Sequence, residues 1–251
     1  MAQAAAPFPD CAPAVKETNV RIVRVEEGGA LVLSDKRVVH LEGIALPAGA
    51  REYGPDATAR EAVSALSDLV SGKVAALAVR DPKEDRYGRL RAQVFVGHAP
   101  NPVWIQADLL AKGWARVRIA PDRRECAAQL YAAEDGAHRL AKGMWSQPFY
   151  AVRTPEQALK EVGTYRLVEG RIESAVEIGG RVYLEFGRDP HRSFVAIIDH
   201  DDLRSFRDIG IDPLSYAGRR VRVRGWIARF GRPVIEIAIP ESIQVLDVAS
   251  P

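Results

Sequence analysis

The sequence predicts a mainly β protein with helices, an α+β arrangement of two small five-stranded barrels in succession. Three observations lead there. Between residues 20 and 96, periodicity and turn signals give three short strands, one helix and two further strands. The same order recurs between residues 165 and 246 with no obvious sequence repeat. The 251 residues suit two domains better than one. Three strands, a helix and two strands are the element order of an OB-type barrel.

Residues 20–25 and 30–33 carry β-branched and apolar side chains on either side of the turn Glu26-Glu27-Gly28-Gly29, so they read as paired strands. A third strand, 37–44, follows the turn Ser34-Asp35-Lys36 and is closed by Pro47-Ala48-Gly49. The helix comes next. Thr58 and Glu61 form a capping box, Val63, Leu66 and Val70 recur at helical spacing, and Gly72 stands where glycine ends a helix. Residues 73–79 and 90–96 are the last two strands, joined by a charged loop over 81–88.

Two helices follow. Asn101-Pro102 is a start signal for one that stops at Gly113. The other runs from near Asp122 to Gly143, with Cys126, Leu130, Ala133, Ala137 and Leu140 on one stripe facing the barrel. In the second half, 165–178 is a long strand bent near Gly170, and 181–186 and 194–198 are strands. Leu203, Phe206 and Ile209 have helical spacing, and 219–230 and 234–246 close the set. The expected division is a flexible tail (1–16), a first domain (17–150), a linker (151–163) and a second domain (164–251).

Hydrophobic residues at 47% and charged residues at 27% exclude a disordered or fibrous chain. No apolar run approaches the ~20 residues of a membrane-spanning helix. A formal charge of +2 permits a polyanionic partner without demanding one, so any basic surface is local. Cys11 and Cys126 are too few for a disulfide framework and lack metal-ligand spacing, which leaves a single bridge between them open. The start lacks the basic leader and apolar core of a signal peptide but has the Ala/Pro character of a mature exported end. The expectation is a periplasmic or exported protein; an ordinary disordered end on a cytoplasmic protein is the alternative.

Four segments in order, VHLEGIALP (39–47), DRYGR (85–89), IQADLLAKGWARV (105–117) and CAAQLYAAEDGAHRLAKGMWSQP (126–148), make the first domain resemble the staphylococcal-nuclease-like, or thermonuclease, family. VEGRIESA (168–175) and RVRVRGWI (220–227) resemble the OB domains appended to bacterial members of that family. The resemblance implies Ca²⁺-dependent phosphodiester hydrolysis. That chemistry needs aspartate oxygens for the metal, a carboxylate to activate water and arginines for the charge on phosphorus.

Laid on this sequence, the family pattern puts Gly29 at an aspartate ligand and His40 at the first arginine. Ala45, Leu46, Pro47 and Ala48 fall on an aspartate and a threonine-proline-glutamate string, while Arg89 keeps the second arginine. Losing one preorganised donor costs ~10²–10³ in rate. The expectation is therefore a catalytically degenerate domain with no intact catalytic set, no metal ligand and no cofactor. Two questions stay open. His40 and Glu42, with Glu26, Glu27 and Asp85, could rebuild a metal site, and Arg89 is either a phosphate contact or a partner of Asp81, Glu84 or Asp85.

In the second domain Arg220, Arg222 and Arg224 alternate with valines, which places three guanidinium groups on one strand face. Tyr183, Trp226, Phe186, Phe194 and Phe230 would supply stacking platforms for a single-stranded nucleic acid. Against this, acidic residues such as Glu169, Glu185 and Asp199 nearly balance the charge. The functional expectation is a non-catalytic binding module for nucleic acid. The alternatives are an active Ca²⁺-dependent nuclease with a rearranged site and a protein-interaction scaffold in the cell envelope.

Overall fold

Alternation of buried and solvent-facing side chains organises the first of two units, Met1–Phe149 and Tyr150–Pro251. The computed structural model describes residues 8–97, 100–189 and 192–246. The first unit contains β1 (Val15–Val25), β2 (Leu31–Leu33), β3 (Val38–Leu41), β4 (Ile44–Ala45), β5 (Val74–Glu84) and β6 (Leu90–Val96). Two short pieces, β7 (Val103–Trp104) and β8 (Arg116–Val117), complete it. Antiparallel pairs join β3 to β2, β2 to β1, β1 to β5 and β5 to β6, and β3 runs parallel to β6 with His40 opposite Arg91. That parallel pair closes a five-strand barrel. Ile22, Leu33, Val39, Leu77 and Val94 fill it, each at most 1% exposed.

Helix α1 (Asp56–Val70) lays Ala62, Leu66 and Val70 on this core, while α2 (Ile105–Lys112) and α3 (Ala127–Arg139) pack beside the barrel. Three predicted helix signals differ from the structure. Thr58 is no cap: it is buried inside α1, whose N-cap is Pro55 with no side-chain bond. Asn101-Pro102 starts no helix, because Val103 and Trp104 pair with Val96 and Phe95, and α2 begins only after that ladder ends. The long helix starts at Ala127, and Leu140 is 68% exposed rather than on its buried stripe, where Tyr131 and Glu134 sit instead.

Charged groups inside this unit are paired. Arg116 bonds Glu52, both nearly inaccessible; Glu52 Oε1 also accepts the Ala48 N–H (3.0 Å), and Glu134 Oε1 accepts the Val117 N–H (2.6 Å). These bonds fix β8 and, through it, β4. The predicted flexible tail is tied down from Phe8 onward, since Cys11 is disulfide-bonded to Cys126 and Val15 already belongs to β1. Residues 1–7 lie outside the described residues.

The second unit holds β9 (Tyr165–Arg171), β10 (Ser174–Ile178), β11 (Arg181–Glu185), β12 (Val195–Ile198), β13 (Arg220–Phe230), β14 (Arg232–Glu236) and β15 (Ile243–Val245). Strand β9 pairs with β13 and β10 with β11; β12 joins β11 to β14, the latter in parallel, and β14 returns to β13. This second curled sheet is consistent with an OB-like barrel in an α+β chain. The strand break falls just after Gly170, where a Cβ would stand 2.7 Å from Pro155 Cγ. Pro155 belongs to α4 (Pro155–Ala158), which Thr154 and Gln157 cap reciprocally. The expected linker over 151–163 is thus part of this unit: Ala158 is fully buried in its core and Arg153 N–H bonds Leu167 O at 2.9 Å. Helix α5 (Leu203–Arg207) buries Leu203 and Phe206, but Ile209 is half exposed beyond its end.

Arg116→Met would leave the Glu52 carboxylate buried without its guanidinium. Breaking one side of such a pair costs ~3–5 kcal/mol. Urea unfolding should show a midpoint lowered accordingly; an unchanged midpoint would mean that Glu52 has another adequate partner.

Candidate functional site

Gly29 ends the first hairpin at φ +89°, and a Cβ there would lie 3.0 Å from Leu46 Cδ2. The turn therefore needs glycine for its backbone, and Leu46 occupies the room a larger side chain would use. Ala45 is held in β4 opposite Arg116, Leu46 is in the core and Ala48 is exposed. None of these side chains offers an oxygen. The nearby Glu27 is exposed with Arg51 at 3.8 Å, beside an open cleft of about 640 Å³ that Gly28, Pro47, Ala48 and Arg60 also line. Among the described residues, no group of three or more His, Cys, Asp and Glu is placed to hold a metal ion. The donor set at these positions does not fit Ca²⁺, a hard cation that takes 6–8 oxygen ligands.

His40 and Glu42, expected on one side of a strand, have different surroundings. Glu42 is 5% exposed, with Oε1 3.0 Å from Arg123 Nε and 3.3 Å from Arg91 Nη2. Burial raises its pKa, and the charges of Arg123 and Arg91 oppose that rise. The arginines occupy this carboxylate, which removes it from the suggested metal cluster. His40 is half-buried on β3. Burial lowers its pKa first; Arg89 adds to that, Asp85 opposes it, and Arg118 and Arg91 lower it further.

Arg89 pairs with Asp85, not with Asp81 or Glu84. Its Nε and Nη2 reach Asp85 Oδ2 at 2.8 and 2.7 Å, while Oδ1 accepts the backbone N–H groups of Tyr87 (2.9 Å) and Arg89 (3.0 Å). Burial works against the Asp85 charge. The bonds from the Arg89 side chain and from both N–H groups outweigh it and hold the pKa below the usual carboxylate range. Tyr87, 68% exposed, carries the guanidinium groups of Arg86 and Arg89 at 5.0 and 5.2 Å from its ring centre. Arg118 is exposed, and its backbone N–H bonds Gly43 O at 2.9 Å. No carboxylate of the described residues lies within salt-bridge reach of Arg86 or Arg118. The result is a cationic lip of Arg86, Arg89 and Arg118 around Tyr87 and His40. Arg118 was missed in the sequence: strand alternation would put it on the same face as the buried Arg116, and its exposure comes only with the end of β8 at Val117.

In the second unit the arginine face differs from its expectation. Val221 and Val223 do point into the core and the arginines away from it, as alternation requires. Yet Arg222 and Arg224 are only 8% and 4% exposed. Glu169 on β9 bonds Arg220 (2.8 Å) and Arg222 (3.2 Å), and Gln244 on β15 accepts from Arg224 (2.7 Å). Phe186 and Phe194 are core rather than platforms. Tyr183 packs on Val195, Ile197 and Val234, while Trp226 (46% exposed, edge-on to Tyr165) and Phe230 (57%) remain accessible. A groove of about 390 Å³ beside Phe230 contains Asp199, Asp201, Asp202 and Glu236. Burial and then the charges of Asp199, Asp201 and Glu236 raise the pKa of Asp202, so this groove is unsuited to phosphate.

A closed five-strand barrel with three helices beside it and an arginine-bearing loop at the lip defines a nuclease-like barrel domain. Residues 38–147, under half of the chain, match the family model described as staphylococcal nuclease homologue, so a domain of this family spans those positions. The match begins at β3, and β1 and β2 complete the barrel from outside it. No curated protein matches the chain.

A His whose folded pKa lies below its ordinary 6.5 binds fewer protons folded than unfolded below that pH. Stability should thus fall as pH drops from about 6.5 towards the folded pKa, and His40→Gln should remove that slope. Imidazole titration by NMR checks the premise; a His40 pKa at or above 6.5 would refute it.

Proposed function

We propose that this protein is a non-catalytic nucleic-acid-binding module, in which the lip of the first barrel holds phosphates and no Ca²⁺ is used. One observation carries the reading: cationic and aromatic side chains gather at the lip while the former carboxylate positions hold Gly29, Ala45 and Ala48. Arginine forks recognise phosphate oxygens, and an exposed tyrosine can stack on an unpaired base. The Asp85–Arg89 pair does not block this. A partly exposed ion pair is worth ~0–1 kcal/mol, so a phosphate can share the guanidinium.

The second unit, read as an appended OB-like domain, takes no part in phosphate contact on this proposal, because Arg222 and Arg224 are committed to neighbours and its groove is acidic. The disulfide supports an exported location, since such bonds persist in oxidising compartments.

Binding of a labelled single-stranded oligonucleotide should survive EDTA and weaken steeply with salt, with no cleavage when Ca²⁺ is added. Arg118→Ala should weaken binding ~3–10-fold on any sequence and lower the log–log salt slope by about one. Ca²⁺-dependent cleavage, or salt-insensitive binding, would overturn the proposal.

A further inference from the structure

Cys126 precedes α3 and is bonded to Cys11 across 115 residues of sequence. The residues just before it brace the lip. Asp122 accepts from both terminal nitrogens of Arg91 (2.6 and 2.9 Å), and Arg91 lies opposite His40 in the β3–β6 pair. Arg123, 6% exposed, donates through Nη2 to the carbonyls of Arg80 (3.2 Å) and Pro82 (2.6 Å). Those carbonyls lie on the outer part of β5, from which the loop bearing Asp85, Tyr87 and Arg89 departs. Glu125 pairs with Arg80.

On the other side of the bridge, residues 8–13 form a strap. Phe8 packs edge-on against Phe95 with ring centres 4.7 Å apart, and Cys11 and Ala12 rest on the barrel core. A cavity of about 10 Å³ lies beneath, lined by both cysteines, Glu42, Gln93 and Arg123. Glu42 Oε1 and Arg123 Nε face each other there as a buried ion pair at 3.0 Å.

We propose that the Cys11–Cys126 bridge is a redox latch on the lip. Oxidised, it holds residues 122–126 and so keeps Arg91 in place opposite His40 and the 81–89 loop in binding geometry; reduced, it frees the strap and slackens the brace. This inference rests on the phosphate-binding reading above. A dithiol reductant attacks the sulfur of Cys11, which is half-buried, because Cys126 is only 5% exposed. The S–S bond breaks, and Cys126 leaves as a thiolate at the partly positive start of the 13-residue α3, then takes up a proton. The reductant's second thiol displaces Cys11 from the mixed disulfide. Two electrons pass, giving two thiols here and a disulfide on the reductant.

The test compares oxidised and reduced full-length protein by oligonucleotide anisotropy, far-UV circular dichroism and amide exchange. The reduced form should keep its far-UV spectrum, exchange faster over 8–14 and 122–126, and bind ~5–10-fold more weakly; Cys11→Ser should behave likewise without reductant. Affinities within twofold of each other would refute the latch. So would loss of the folded spectrum in both the reduced and Cys11→Ser proteins, which would make the bridge a structural staple only. If the oxidised protein binds no oligonucleotide, the phosphate reading fails by itself, and unchanged exchange over 122–126 then refutes the latch separately.

Discussion

The parallel pairing of β3 with β6 is the constraint on which the first unit depends. Without it the strands would form an open sheet with two bare edges; with it the barrel closes and His40 is set beside Arg91. Everything at the lip is referenced to that contact. The loop after β5 returns into β6, and the segment after β3 runs directly into β4 and Leu46. A barrel closed this way supports a rigid rim, and the rim holds the charges.

The molecule handles many arginines by giving the inaccessible ones fixed partners. Arg116 has Glu52, Arg123 has Glu42 and two carbonyls, and Arg222 has Glu169. A buried charge left alone costs several kcal/mol, so these pairs are requirements of folding and no evidence of ligand binding. Arg86 and Arg118 differ because both are exposed and neither has a carboxylate of the described residues within salt-bridge reach. That contrast separates structural arginines from those available for recognition.

Much of the architecture was legible where strand chemistry is strong. The run Leu90–Val96 alternates apolar side chains and is β6 as expected, and Gly113, at φ +77°, ends α2. Signals failed where a distant segment decided the outcome. Asn101-Pro102 has the local form of a helix start, but β6 captured the next two residues. The Arg220, Arg222 and Arg224 alternation correctly gave their shared face; their partners Glu169 and Gln244 lie on strands far away in sequence. For the same reason Arg118 went unnoticed, since its place near His40 arises only when the barrel closes.

The packing of Leu46 against Gly29 bears on how such a rim could change over evolutionary time. Adding a carboxylate at position 29 alone would meet a forbidding backbone angle and a leucine already filling the space. Building an ion-binding pocket there would require coordinated replacements in two separate segments, at Gly29 and at Leu46. A single exchange at the turn is therefore a costly step, and any change of chemistry at this rim has to be concerted with the core beneath it.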